Sequence, residues 1–159
     1  ARGDTQFTYA LGRLVLWSDR ADVVDGRGEV LRQPGTNKLA IADPRLAPYG
    51  TAAMEVLQNL NVHEAWQPNL VTGESIGQAY QFAATGNAQL AFIALSQVAV
   101  NGRIPRGSSW VVPARLYTPI QQDAVLLNAG ADNPAATAFL VYLRGNAARA
   151  ILRNAGYGL

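Results

Sequence analysis

The sequence contains no cysteine, and His63 is its only histidine. The absence of cysteine excludes disulfide bonds, thiolate metal sites and a thiol nucleophile. His63 and its neighbour Glu64 would point to different sides of a helix, so this pair does not make a metal site. A serine nucleophile would need a histidine base, and one histidine beside a predicted helix end is weak support for it. We therefore predict neither a catalytic residue nor a metal ligand.

Lysine is almost absent as well, since Lys38 is the only one among thirteen cationic residues. The arginines are scattered and form no basic stripe, and the formal net charge is only +2. We therefore predict no nucleic-acid partner. No apolar run approaches the roughly 18 residues of a membrane helix, and residues 1–10 lack the pattern of a signal peptide.

The 159 residues are 49% apolar, which is enough for a globular domain with a core. Short apolar runs of strand length alternate with amphipathic helices, which predicts an α/β fold with a mainly parallel sheet. The tryptophans lie in or beside these runs and are predicted core residues: Trp17, Trp66 and Trp110. The predicted strands are residues 14–17, 39–42, 69–71, 90–94 and 110–112, and the predicted helices are residues 50–60, 75–84 and 96–100.

The alternation changes after about residue 113. Residues 116–122 are predicted to cross into a second unit that contains one strand (124–128) and two helices (133–143 and 146–155). One strand and two helices are too few to enclose a sheet. We therefore predict that this second unit is incomplete by itself.

Two predicted strand-to-helix junctions, residues 43–50 and 72–76, end at the same edge of the sheet. A helix N-terminus carries about half a positive charge and unpaired N–H groups, so two together can bind an anion without lysine or arginine. Both junctions can equally be ordinary turns, with Glu74 as a helix-terminal residue. Asp43 and Glu74 are also the only carboxylates placed to act as a base if the chain were an enzyme.

Several stretches of the chain, from Phe7 to Tyr157, resemble one family throughout. They are TQFTYALGRLVLWS, LAIADPRLAPYGTAAMEVL, GESIGQAYQFAATGNAQLAFIALSQV, YTPIQQDAVLL and LRGNAARAILRNAGY. In order and spacing they are similar to the periplasmic molybdate/tungstate-binding proteins of bacterial ABC importers. The resemblance implies a type II periplasmic binding protein fold, in which two α/β lobes close on a tetrahedral dianion.

The same resemblance implies a binding site made of backbone groups. The N–H groups of Tyr49 and Ile76 match the positions that bind the oxyanion. Some members add a tyrosine hydroxyl from the loop after the strand predicted at residues 90–94, where this chain has Ala94, so that contact is expected to be missing. The neighbours that would support the two amides are Pro48, Gly50, Ser75 and Glu74.

The family also has a further segment before Phe7 that builds most of its first lobe. The resemblance thus implies a three-layer lobe at residues 1–118, with crossover strands at its ends, and a return segment of the incomplete first lobe at residues 119–159. Binding of molybdate or tungstate, with no cofactor, is expected to be impaired in this chain. The implied partner is an ABC permease in the inner membrane, and the implied location is the periplasm.

Two further expectations remain open. Apolar residues of the return segment should stay exposed, repack or pair with a second copy, which favours self-association or domain swapping; they are residues 125–127, Phe139, Leu140, Leu143, Ile151 and Leu152. The alternative function is a ligand-sensing effector domain of a LysR-type transcription regulator, which shares the two-lobed architecture.

Overall fold

The computed structural model describes residues 1–159, which form seven strands and five α-helices. The strands are β1 (Arg2–Gly12), β2 (Leu14–Ser18), β3 (Leu39–Ala42), β4 (Leu70–Gly73), β5 (Leu90–Ala94), β6 (Ser108–Val111) and β7 (Ile120–Leu126). The helices are α1 (Pro48–Asn59), α2 (His63–Trp66), α3 (Ile76–Ala84), α4 (Pro134–Arg144) and α5 (Asn146–Asn154). None of the helices combines the length and the apolar character that a membrane crossing requires.

Five strands form the main sheet in the order β4-β3-β5-β2-β6. Strand β3 pairs in parallel with β4 and β5, whereas β2 pairs antiparallel with β5 and β6. The sheet is therefore mixed, and the expectation of a mainly parallel sheet holds only for β4, β3 and β5. Buried strands read as continuous apolar runs in either direction, so the sequence pattern did not reveal that β2 and β6 run against β5.

The central strands β2, β3 and β5 are buried along their whole length because the sheet is covered on both faces. Alternate residues point to opposite faces. On β2, Leu14 and Leu16 pack with α1, while Val15 and Trp17 pack with α3. This arrangement confirms the predicted three layers. All three tryptophans are buried, as predicted, with Trp66 completely enclosed.

A second, smaller sheet consists of β1 paired antiparallel with β7. The second unit thus has two strands rather than the predicted one, and its strand begins at Ile120 rather than at residue 124. Most of β1 is exposed or half-buried and carries no continuous apolar run, so hydrophobic periodicity did not indicate it. The short helix expected at residues 96–100 is a 3-10 turn at Leu95–Gln97, and α2 was not predicted.

Helices α4 and α5 pack on each other and α4 packs on β7, but much of their apolar surface remains open. Of the residues predicted to lie there, Leu127, Phe139 and Ile151 are more than half exposed, and Leu126 is buried. The other predicted residues are half-buried. The expected exposure is therefore found at three of the predicted positions, while the other predicted residues pack at least partly within the chain; Val141 and Tyr142 of α4 are exposed as well.

Candidate functional site

The two predicted junctions lie side by side at one edge of the main sheet. Strands β3 and β4 are adjacent and parallel, with Ala42 opposite Gly73. The N–H group of Asp43 donates a hydrogen bond to the carbonyl of Gly73 at 2.7 Å. The loops that lead to α1 and α3 therefore leave the sheet together, and the fold brings both helix N-termini to the same edge.

The loop before α1 is organised by Asp43, which is largely buried. Its carboxylate accepts hydrogen bonds from the guanidinium of Arg45 at 2.7 and 3.1 Å and from the Arg45 backbone N–H at 2.9 Å. The Arg45 side chain, and then its backbone N–H, hold the pKa of Asp43 below its ordinary value. Asp43 is thus an ionised turn-forming residue, which makes it a poor general base at neutral pH.

Only one N–H group in the first turn of α1 has no acceptor within the protein. Pro48 is the first helical residue and has no N–H. The N–H groups of Gly50 and Thr51 both donate to the carbonyl of Ala47, at 2.9 and 3.2 Å. The N–H of Tyr49 therefore remains free to bind a ligand at this edge.

Gly50 allows α1 to begin this close to the sheet. A Cβ atom at this position would lie 2.2 Å from the carbonyl oxygen of Ala42 and 2.8 Å from the nitrogen of Pro44. Both neighbours are backbone atoms that cannot rotate away, so any other residue would push the helix off the end of β3. The glycine thereby fixes where the Tyr49 amide lies.

The first turn of α3 contains a reciprocal capping arrangement. The hydroxyl of Ser75 accepts from the Gln78 backbone N–H at 3.2 Å, and the side-chain oxygen of Gln78 accepts from the Glu74 N–H at 2.7 Å. Ser75, and not Glu74, is therefore the helix cap. The N–H groups of Ser75, Ile76 and Gly77 have no protein acceptor.

Residues 73–77 also read Gly-Glu-Ser-Ile-Gly, which matches the spacing of the nucleophile turn of hydrolases. The backbone of Ser75 is extended, with φ −147° and ψ 165°, rather than strained. Its hydroxyl serves as the α3 cap, and no histidine is hydrogen-bonded to it. The motif is thus a helix-capping turn and not a nucleophile site.

The side chain of Tyr49 packs on the junction of β1 and β2. A Cβ atom on Gly12 would lie only 2.4 Å from the Tyr49 hydroxyl oxygen. Burial, followed by the neighbouring Tyr157, raises the pKa of Tyr49 far above its usual range. Tyr49 therefore stays neutral. Its ring connects α1 to Gly12, where β1 of the small sheet leads into β2 of the main sheet.

A glutamine that sequence reasoning missed contacts the first turn of α3. The side-chain oxygen of Gln97 accepts from the Ala94 N–H at 2.9 Å, and its nitrogen donates to the Ile76 carbonyl at 3.1 Å. Gln78 could have been found from the Ser-x-x-Gln spacing of a capping box. Gln97 had no such signal, because its contact with Ile76 joins positions 21 residues apart.

A cavity of about 530 Å³ lies beside this edge, between α1 and the start of β7. Its lining includes Pro48, Thr51, Glu55 and Thr118, but neither Tyr49 nor Ile76. The Glu55 carboxylate accepts hydrogen bonds from the backbone N–H and the hydroxyl of Thr118. Helix α1 is thereby fastened to the segment that leads into the second sheet.

Comparison with known proteins gives one consistent result. A family model described as bacterial extracellular solute-binding protein matches residues 1–158. The molybdate-binding protein ModA of Azotobacter vinelandii is 52% identical over 155 residues, which is 98% of this chain and 62% of that protein. ModA of Rhodobacter capsulatus is 54% identical over 153 residues, covering 96% of this chain and 59% of that protein.

Among solved structures, the periplasmic molybdate-binding protein of Azotobacter vinelandii superposes with a TM-score of 0.91 and 41% sequence identity. The match covers 100% of this chain and 70% of that one. This chain thus spans about three fifths of the length of the two curated relatives.

Proposed function

Because the chain belongs to the bacterial extracellular solute-binding protein family, we propose that it binds a tetrahedral oxyanion, molybdate or tungstate, through the N–H groups of Tyr49 and Ile76. The family resemblance drawn from the sequence is confirmed, and the family consists of binding proteins rather than enzymes. One observation carries the proposal: the N-termini of α1 and α3 lie side by side, and each presents an N–H without a protein acceptor.

The chemistry of this edge suits a dianion. Each helix N-terminus contributes about half a positive charge, and its free N–H groups point along the helix axis toward the anion. Pro48 and Gly50 shape the first donor, while at the second the Ser75 hydroxyl and the Glu74 N–H are engaged in local hydrogen bonds. Recognition by neutral donors needs no cofactor, and it leaves discrimination against sulfate to the size of the site.

We further propose that this chain alone binds the oxyanion weakly. Its two loops face the anion from one side, and the matched relatives extend beyond the region they share with it. A hydrogen bond to a charged group contributes about 1.5–3 kcal/mol. If the longer relatives supply three more such bonds, their affinity would exceed that of this chain by several powers of ten.

A periplasmic location and an inner-membrane ABC permease as partner follow as proposals from the relatives, one of which is described as periplasmic.

A second proposed association involves the return segment. Leu127, Phe139 and Ile151 expose large apolar side chains there, and such surface favours pairing with another copy. Light scattering over a range of concentrations tests it, and a monomer throughout would refute it.

The two rival functions have less support. An effector domain of a LysR-type regulator would need an attached helix-turn-helix, and the matched family is one of solute-binding proteins. An enzyme would need a base at the edge, but Asp43 is bound to Arg45. If the chain had an enzymatic activity, replacing Asp43 or Glu74 by alanine should therefore leave its rate unchanged.

The experiment that tests the proposal is a titration of the ¹⁵N-labelled chain with molybdate, tungstate and sulfate at constant ionic strength, followed by amide chemical shifts. We expect the Tyr49 and Ile76 amides to shift together with molybdate and tungstate, and much less with sulfate. Equal responses to all three anions would refute the selectivity. Shifts confined to other parts of the chain would refute the site.

A further inference from the structure

The turn that follows β5 reaches across to the first turn of α3 through one side chain, Gln97. The turn spans Leu95–Gln97, and Gln97 is partly buried beneath the candidate site. Its oxygen accepts from the Ala94 N–H at 2.9 Å, and its nitrogen donates to the Ile76 carbonyl at 3.1 Å. One side chain therefore connects the end of β5 to the residue whose N–H is proposed to bind the oxyanion.

The orientation of the Gln97 amide is fixed by its two partners. Ala94 is buried, and its N–H needs an acceptor, so the side-chain oxygen must face it. The nitrogen then necessarily faces the Ile76 carbonyl. A flipped amide would place two donors against each other at Ala94 and two acceptors against each other at Ile76, which makes the observed orientation the only satisfied one.

The bond to the Ile76 carbonyl also controls the peptide unit that joins Ile76 to Gly77. This unit is planar, so fixing its carbonyl also fixes the direction of the Gly77 N–H. The Gly77 N–H has no protein acceptor and lies beside the free Ile76 N–H. A hydrogen bond to the carbonyl polarises the peptide and makes its N–H a better donor.

We propose that Gln97 is a positioning residue that holds the first turn of α3, and with it the Ile76 and Gly77 amides, in the direction needed to bind the oxyanion. This inference rests on the proposed function. The connection joins two separate parts of the chain, because α3 follows β4 while Gln97 follows β5, on the other side of β3. Without Gln97, the start of α3 would be held only by its capping bonds, by the helix's own hydrogen bonds, such as that from the Ala79 N–H to the Ser75 carbonyl at 3.1 Å, and by the packing of Ile76 on the sheet.

A matched pair of variants tests the proposal. Gln97→Met keeps the length of the side chain and removes both hydrogen bonds. Gln89→Met is the control, because the Gln89 side chain accepts from the Lys38 backbone N–H at 2.7 Å just before β5, at the opposite end of the sheet. Both variants lose a side-chain bond to a strand-end amide, but only Gln97→Met touches the candidate site.

Two measurements are made on the full chain and both variants. The first is ¹⁵N relaxation of the Ile76 and Gly77 amides without ligand, where we expect faster motion only in Gln97→Met. The second is the molybdate titration, where we expect Gln97→Met to bind about tenfold more weakly and Gln89→Met to bind like the parent chain. Gln97→Glu, which can still accept from Ala94, provides a folded second variant for the relaxation measurement.

The outcomes separate the two proposals. If the parent chain shows no response to molybdate, the proposed function fails, and the relaxation data alone decide whether Gln97 holds the turn. If the parent chain binds and Gln97→Met binds equally well with unchanged amide motion, the role of Gln97 is refuted. Equal weakening in Gln89→Met would also refute it, because the effect would then reflect general stability of the sheet.

Discussion

Replacing Ile76 by proline removes the proposed donor of α3 with little disturbance of the fold. Ile76 is the first residue of the helix, a position where proline is favoured. Ser75 already has the extended backbone, with φ −147° and ψ 165°, that a residue before proline requires. The N–H that is lost donates to no acceptor in the protein, so no internal hydrogen bond is broken.

The expected loss in binding is that of one hydrogen bond to a charged ligand, about 1.5–3 kcal/mol. This corresponds to a weakening of roughly ten- to a hundredfold in the dissociation constant for molybdate. Because Ile76 is half-buried against the α3 side of the sheet, Ile76→Ala is the matched control: it shortens the side chain and keeps the N–H. Titration of both variants by NMR, with urea unfolding for stability, makes the comparison.

We expect Ile76→Ala to bind close to the parent chain and Ile76→Pro to bind much more weakly at similar stability. Equal affinity of the two variants would refute the assignment of the Ile76 N–H as a ligand donor. If Ile76→Pro were also strongly destabilised relative to Ile76→Ala, the premise that this position accepts proline would be wrong. The Tyr49 amide should still shift with molybdate in both variants, since α1 is unchanged.

Three other predictions concern the stability and association of the chain. Gly50→Ala should lower the free energy of unfolding in urea by about 1–3 kcal/mol, because its Cβ would collide with the Ala42 carbonyl; unchanged stability would show that α1 can shift freely. Because Arg45 lowers the pKa of Asp43, the ionised carboxylate stabilises the fold at pH values above its unfolded-state pKa of about 3.9. This stabilisation is lost as the pH falls through the lower pKa that Asp43 has in the folded chain. The difference in melting temperature between the parent and Asp43→Asn should therefore be constant near neutral pH and shrink in acid, and a constant difference down to pH 2 would contradict it. Ile151→Glu should shift any dimer seen by light scattering toward monomer, and an unchanged mass at all concentrations would exclude this face.

Much of the central fold could be predicted because burial leaves a clear pattern in the sequence. The continuous apolar runs of β3 and β5 reproduce the strands to the residue. The Ser75 cap and the glycine after α3 place that helix to within one residue of its observed ends. These features depend on local propensity and on burial, which a single sequence displays.

The features that could not be predicted depend on contacts between distant segments. Among the strands, β1 pairs only with β7, more than a hundred residues away, and its exposed residues give no apolar run. The direction of β2 depends on its entry from β1 through Gly12, which composition does not encode. Gln97 belongs to the same class, since a polar residue after a strand does not reveal which carbonyl it will reach.

The candidate site is better understood by accounting for hydrogen bonds than by searching for reactive side chains. In the loop before α1, Asp43 and Ala47 accept from every backbone N–H between Arg45 and Thr51 except that of Tyr49. At α3, Ser75 and Gln78 satisfy the N–H groups on either side of three free ones. Arg45, the cation of the first loop, is neutralised by Asp43, so the positive potential at this edge comes from the two helix N-termini, and the nearby Glu74 carboxylate opposes it. Molybdate and sulfate carry the same charge, so under the proposed function the two anions must be separated by the size of the site, to which the position of α1, fixed by Gly50, and the proposed role of Gln97 at α3 would both contribute.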